Sequence, residues 1–302
     1  MLRTNFLGVD FDNPIVLASG ILGLTAASLK KAVDDGCGGV TGKSLSAEPR
    51  PGHPNPTMTG TKNYFINAVG LSNPGIEEGI LELKKYREIC SAPIIASIFA
   101  GSSEGFATLA EKLEDSPSDF IELNLSCPNV NLEFGKPFAY SVEAVEEITK
   151  KTRARTKKPF SVKLSPNAWN IAELAKAAEA AGADAITAVN TVSGMMIDVR
   201  LRAPVLHNKQ GGVSGPVLFP IALKCVYDIY EAVKIPIIGT GGVTSGEDAL
   251  AMIMAGASLV GVGTAVYYRG ADAFKKITEE MEQIMNEEGI NTLAEIRGTA
   301  HA

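Results

Sequence analysis

The chain has 302 residues and is 45% hydrophobic, which is enough to bury the core of one large domain. Its 34 acidic residues outnumber its 28 lysines and arginines, and the formal charge of −6 with no basic block argues against nucleic acid as a partner. The four dispersed cysteines lack the paired spacing of zinc and iron–sulfur sites, so we expect no metal and a reducing compartment.

The predicted elements begin with a small hairpin, in which residues 2–6 and 9–11 flank Gly8. The N-terminus lacks the apolar stretch of a signal peptide, and no run is long enough to cross a bilayer, so we expect a cytoplasmic protein without membrane contact. Eight short apolar runs that predict buried strands follow, at 15–18, 39–41, 94–98, 120–123, 160–164, 185–189, 236–239 and 259–262.

Segments with helical periodicity alternate with these strands, among them 77–89, 106–113, 142–152, 171–181, 218–233 and 247–255. Gly36, Gly182 and Gly256 follow helical runs where a left-handed cap is expected. The alternation predicts an α/β fold, a (β/α)8 TIM barrel with right-handed crossovers, rather than a doubly wound sheet. We expect residues 1–302 to form a single domain. Three long connections, at 44–76, 129–140 and 192–216, are of the kind that form lids or binding loops.

Two glycine-containing pairs mark a candidate phosphate site. In a (β/α)8 barrel the active site forms at the carboxyl ends of the strands, and phosphates commonly bind after the seventh and eighth strands through backbone amides. Gly241 and Gly242 follow the seventh predicted strand, and Gly263 and Thr264 follow the eighth. Either pair alone is also typical of a tight turn. Because both lie in the expected places, the sequence favours a phosphate.

Two lysines and several amides lie near the same strand ends. Lys163 has apolar neighbours within a buried strand, so its ammonium needs an anionic or polar partner, and a flavin that gains negative charge on reduction would supply one. Lys43 either approaches the same centre or lies in a solvated loop. Uncharged amides suit a planar ring that carries amide groups, although an asparagine in a loop most often serves the turn. These residues are Asn67, Asn124 and Asn190, the last followed by Thr191.

Cys127 follows the fourth predicted strand within the segment 124–129. Pro128 removes a backbone donor and favours extended geometry at Cys127, which places a thiol among polar side chains at the end of a strand. A lone cysteine in such a turn is more often structural than catalytic. The surrounding set of polar residues is what favours a catalytic role.

Together these stretches resemble the dihydroorotate dehydrogenases, and among them the cytosolic class 1B catalytic subunits. The matching segments span nearly the whole chain, at 18–20, 41–44, 48–54, 67–75, 124–129, 162–164, 190–191, 239–242 and 261–264. The resemblance implies an FMN-dependent barrel that oxidises dihydroorotate to orotate in pyrimidine biosynthesis. The implied FMN contacts are Ser19, Lys43, Ser44, Asn124, Lys163, Val189, Gly215, Gly241, Gly242, Gly263 and Thr264.

The resemblance also implies roles in catalysis. Cys127 matches the base that takes the C5 proton while the C6 hydride passes to the flavin, and Lys163 would stabilise the charge that arrives there. Ser97 departs from the family, which often carries an FMN-contacting asparagine after the third strand, and 131–136 differs from the glycine-rich loop of class 1B. The implied substrate contacts are Lys43, Asn67, Ala68, Val69, Gly70, Leu71, Asn124, Asn190 and Thr191.

The electron acceptor distinguishes the classes. Class 1B passes electrons to NAD through a partner subunit that carries FAD and a 2Fe–2S cluster, whereas class 1A homodimers reduce fumarate. Segments 48–52 and 296–301 favour class 1B, which implies a homodimer within a heterotetramer and a cluster on the partner. The membrane-bound class is disfavoured, because the chain lacks its amphipathic N-terminal extension and has Cys127 where that class has a serine.

Three other functions remain as alternatives. The first is a class 1A enzyme. The second is a related flavin barrel such as a tRNA-dihydrouridine synthase, which the negative charge disfavours. The third is a non-catalytic binding barrel, which would not explain a complete set of site residues at the strand ends.

Overall fold

A closed barrel of eight parallel strands forms the centre of the structure, a computed structural model that describes residues 1–125 and 138–302. Around the barrel the strand order is β3-β4-β7-β8-β9-β10-β15-β16, so the predicted (β/α)8 fold is confirmed. Each predicted barrel strand matches an observed one to within one residue at either end. The strands of the described ranges, numbered in chain order, are β1 (Thr4–Phe6), β2 (Val9–Phe11), β3 (Ile15–Leu17), β4 (Gly39–Thr41), β5 (Met58–Gly60), β6 (Phe65–Asn67), β7 (Ile94–Ile98), β8 (Phe120–Asn124), β9 (Phe160–Leu164), β10 (Ala185–Ala188), β11 (Val192–Met195), β12 (Ile197–Asp198), β13 (Ala203–Pro204), β14 (Gln210–Ser214), β15 (Ile237–Thr240) and β16 (Leu259–Val262).

Helices cover the outside of the barrel. They bury one apolar stripe each. In the helix at Val142–Arg153, for example, Val145 and Ile148 are buried, and the side chain of Ser141 caps the first turn by accepting from the Ala144 amide. No helix within the described ranges combines the length and the apolar character needed to span a membrane. The helices are α1 (Ala26–Asp34), α2 (Ile76–Ile89), α3 (Ser103–Lys112), α4 (Val142–Arg153), α5 (Ile171–Ala180), α6 (Phe219–Ala232), α7 (Gly246–Met254), α8 (Ala265–Arg269), α9 (Ala273–Glu287) and α10 (Leu293–Ile296), with 3-10 turns at Phe138–Tyr140, Pro216–Leu218 and Thr299–His301.

The N-terminal hairpin is present as predicted, and it closes the amino-terminal end of the barrel. Strands β1 and β2 pair in an antiparallel manner and place Phe6 and Phe11 against Phe120, the first residue of β8. The rings of Phe6 and Phe120 meet edge to face with centroids 5.6 Å apart, and those of Phe11 and Phe120 stack at 6.4 Å. Side chains from five further barrel strands join this cluster, which therefore seals the barrel below the site.

A second sheet lies in two of the connections that were predicted to be long loops. Strands β5, β6, β14 and β11 pair in an antiparallel manner, with Asn67 of β6 opposite both Met58 and Gly212. The long connections at 44–76 and 192–216 therefore contain strands that were not predicted from the sequence. Each strand is short and pairs with a distant part of the chain, so no local pattern marks it.

Candidate active site

A cavity opens at the carboxyl end of the barrel, with an empty volume of about 1190 Å³ including its open mouth. The barrel fold brings most of the predicted site residues into its wall, because the carboxyl ends of parallel strands meet there. Two predicted residues do not line it: Ala68 is fully buried beside Ile66, and Gly215 lies against Tyr268. Cys127 and the rest of 126–137 lie outside the described residues. The predicted residues that line the cavity are Ser19, Lys43, Ser44, Asn67, Val69, Gly70, Leu71, Asn124, Lys163, Val189, Asn190, Thr191, Gly241, Gly242, Gly263 and Thr264.

The glycines after β15 and β16 form an open cradle at one side of the cavity. At Gly242, φ is +76° and an added Cβ would lie 2.3 Å from the backbone nitrogen of Phe219, so the fold itself requires glycine there. At Gly263 an added Cβ would meet nothing closer than Ile21 Cγ1, at 3.5 Å. The protein leaves this space free, and the chain turns here from a strand into a helical segment. Such a cradle suits a phosphate.

Lys163 lies at the floor of the cavity and is only 5% exposed. Its Nζ is 3.4 Å from Oε1 of Glu122, whose side chain is also buried. Lys163 was predicted to need an anionic or polar partner, which a flavin would supply, and the structure shows that the protein itself provides an anionic one. Sequence reasoning missed Glu122 because it lies within an apolar run, although an acidic residue between buried neighbours was itself a signal.

A chain of hydroxyl groups connects Glu122 to the wall of the cavity. Ser97 donates to Oε1 of Glu122 at 3.0 Å, and since a serine hydroxyl has one hydrogen, Ser44 must donate to Ser97 at 2.8 Å. Ser44 in turn accepts from Ser19 at 3.1 Å and from the Asn124 amide at 3.2 Å. Ser97 is fully buried and lies beneath the cavity wall, so at this position the chain has no side chain that reaches the cavity.

Amide groups form the opposite part of the wall. Asn190 donates from Nδ2 to Oδ1 of Asn124 at 3.3 Å, and its own Oδ1 accepts from the Thr191 amide at 2.7 Å. The second sheet holds Asn67 at the end of β6. Lys43 is half-buried and lines the cavity, which decides between the two alternatives left open by the sequence. The wall therefore combines the cations of Lys43 and Lys163 with amide donors and acceptors, as a planar anionic ring requires.

His53 supports the loop that follows Asn67. Its backbone amide donates to the carbonyl of Val69 at 3.0 Å, and its Nδ1 donates to the carbonyl of Ala68, also at 3.0 Å. Gly70 has φ +75°, and an added Cβ would lie 2.7 Å from the imidazole ring. Sequence reasoning gave His53 no role of its own, and its only signal was its place in the segment 48–54.

Comparison with known proteins identifies the family. The family model for dihydroorotate dehydrogenase matches residues 1–285. The chain belongs to the dihydroorotate dehydrogenase family. The resemblance seen in the sequence is thereby confirmed. Relatives named dihydroorotate dehydrogenase B (NAD(+)), catalytic subunit, cover the whole length: the protein of Methanocaldococcus jannaschii is 44% identical over 100% of this chain and 98% of its own. The protein of Pyrococcus abyssi is 45% identical over 99% of this chain and 99% of its own length. The protein of Methanosarcina mazei is 44% identical over 99% of this chain and 95% of its own length.

The dihydroorotate dehydrogenase family is FMN-dependent, and the cavity fits this cofactor. The space beside Gly263 accepts a phosphate, and the buried ammonium of Lys163 suits a ring that gains negative charge on reduction. The amides of Asn124 and Asn190 are uncharged partners for the ring and the substrate.

Proposed function

We propose that this chain oxidises dihydroorotate to orotate in pyrimidine biosynthesis, as the FMN-containing catalytic subunit of a class 1B enzyme. The observation that carries the proposal is that one cavity is lined both by the buried Lys163 and by the open cradle at Gly263. Full-length similarity to catalytic subunits of the NAD(+)-linked type supports it.

The reaction needs a hydride acceptor, a proton acceptor and a way to hold the substrate. The cradle at Gly263 and the amides of Asn124 and Asn190 would hold FMN, which would supply the hydride acceptor. Lys163 would hold a positive charge where electron density accumulates and so lower the energy of the charged product state. Asn67, Asn124 and Asn190 orient the pyrimidine ring through its carbonyl and NH groups, and Lys43 pairs with the substrate carboxylate.

Cys127 is proposed as the base. It lies outside the described residues, and its assignment depends on the segment 124–129, which matches the family pattern. Its thiolate would take the C5 proton as the C6 hydride leaves, so the C5–C6 single bond becomes a double bond and the sulfur ends protonated.

Replacing Cys127 with serine tests this assignment. A serine hydroxyl is a far weaker base at neutral pH, so flavin reduction by dihydroorotate should slow by roughly 100-fold or more while FMN stays bound. The rate is measured by anaerobic stopped-flow spectroscopy of the flavin absorbance. Cys90→Ser is the matched control, because Cys90 caps the far end of α2 outside the cavity. Near-wild-type reduction in C127S would exclude Cys127 as the base.

For the electron acceptor we propose a partner subunit that carries FAD and a 2Fe–2S cluster and reduces NAD, on a homodimer of this chain within a heterotetramer. The names of the relatives, which are NAD(+)-linked catalytic subunits, support a partner. Copurification with a cysteine-rich flavoprotein that confers NAD reduction is the expected result. Fumarate turnover by the isolated chain would instead indicate class 1A.

A further inference from the structure

Glu122 carries a buried charge that a contribution to stability does not by itself explain. It is 2% exposed, and a buried ion pair such as the one it forms with Lys163 is often no more stabilising than apolar side chains of the same volume. Its two described partners are Lys163 and Ser97. A carboxylate in such a place therefore points to a role in the charge of the site.

The geometry places Glu122 one layer below the cavity. It lies two residues before Asn124 on β8, so both side chains point into the barrel, and only Asn124 lines the cavity. Strand register puts Asn124 beside Lys163 and Glu122 beside Ser161, one step further from the mouth. The carboxylate thus approaches the ammonium of Lys163 from below, without occupying space that a ligand would use.

We propose that Glu122 is a positioning residue that sets the reduction potential of the flavin by offsetting part of the charge of Lys163. This inference depends on the proposed function, since it assumes FMN above Lys163. Ser97 moderates the effect, because its hydroxyl hydrogen points at Oε1 of Glu122 and offsets part of the negative charge.

The charges decide the sign of the effect. Reduction adds negative charge above Lys163, and Glu122 opposes this gain. Glu122→Gln keeps the shape and the acceptor for Ser97 but removes the negative charge, so the reduced cofactor becomes more favoured. At an effective dielectric constant of about 20, a unit charge about 10 Å from the charge gained on reduction changes the equilibrium between oxidised and reduced flavin roughly tenfold. A tenfold change corresponds to about 30 mV for a two-electron couple, so E122Q should raise the potential by about that amount.

Ser97→Ala changes the same network in the opposite direction. Both charges remain, but the carboxylate loses the hydroxyl that offsets it, so the potential should fall. The equilibrium between oxidised and reduced flavin should change by roughly two- to threefold, which is less than in E122Q. Thr149→Val is the matched control. Its hydroxyl is also fully buried, but it donates to the Val145 carbonyl within α4 at 2.7 Å, on a helix outside the barrel, so its loss should leave the potential unchanged.

The experiment measures the midpoint potential of the FMN-loaded full chain by reductive titration against a reference dye. The FMN dissociation constant in the oxidised state is measured alongside and should change less than threefold in all variants. A potential in E122Q equal to or below that of the wild type overturns the inference, as does an equal shift in T149V. If E122Q does not fold, S97A decides, and an unchanged or raised potential there overturns it.

These outcomes are separate from failure of the proposed function. If the wild-type chain does not bind FMN, or if dihydroorotate does not reduce the bound flavin, the proposed function fails and this inference fails with it. If dihydroorotate reduces the flavin normally and the potential does not respond to Glu122, only the inference about Glu122 fails.

Discussion

Replacing Gly263 with alanine tests whether the open space beside this residue holds the FMN phosphate. The backbone of Gly263 lies outside the left-handed region, and the new methyl group would meet Ile21 Cγ1 at 3.5 Å and Ala18 Cβ at 3.7 Å, which are ordinary contacts. The fold alone therefore accepts alanine, and the loss of freedom in the unfolded chain should raise the free energy of unfolding by roughly 0.4–1 kcal/mol. A bound phosphate would meet the same methyl group. Overpacking of a filled site costs about 1–3 kcal/mol, which weakens FMN binding roughly 5- to 150-fold.

The assay for G263A has two parts. Titration of the FMN-free protein, followed by flavin fluorescence, gives the dissociation constant, and thermal unfolding without FMN gives the stability. Gly42→Ala is the matched control, because its Cβ would meet only the carbonyl oxygen of Ile95, at 3.8 Å, and Gly42 does not line the described cavity. Both variants should unfold at or above the wild-type temperature, and only G263A should lose affinity. Wild-type affinity in G263A would refute the placement of the phosphate.

Two further predictions concern the substrate loop and a buried thiol. His53→Ala removes the donor to the Ala68 carbonyl and so loosens the loop that holds the substrate. The KM for dihydroorotate should therefore rise about tenfold, with little change in kcat, in steady-state kinetics. An unchanged KM would contradict the role of His53. Burial raises the pKa of Cys225 from 9.0 to about 11, so the stability it contributes is complete below pH 9 and is lost as the pH rises towards 11. Relative to Cys225→Ala, the wild type should lose about 2 kcal/mol over this interval in urea unfolding, and equal losses would show that the thiol does not titrate as expected.

Most of the barrel was predictable from the sequence, because its strands are buried on both faces. Strand β16, for example, is a continuous apolar run between Ser258 and Gly263, which is a strong local signal. The second sheet was not predictable. Its strands β5 and β11 are partly exposed and contain glycine, and their order depends on pairing between distant segments.

In the candidate site, too, some residues could be predicted from the sequence and others could not. Residues that end a barrel strand, such as Asn124 and Gly263, could be assigned to one rim once the fold was predicted. Glu122 and His53 act through other residues, one below Lys163 and the other behind the loop at Ala68, and neither ends a barrel strand. Which buried polar groups meet each other depends on register and side-chain direction, and composition does not contain this information.

The N-terminal hairpin closes one end of the barrel. Since Phe6, Phe11 and Phe120 close the amino-terminal end of the barrel, small molecules do not reach the described cavity from that end. On the proposed function, the product would leave before a small oxidant took its place, and the two half-reactions would follow each other in ping-pong order. A partner protein that collected electrons at the carboxyl end of the barrel would not have to enter it, so substrate binding and electron removal would not compete for the same space.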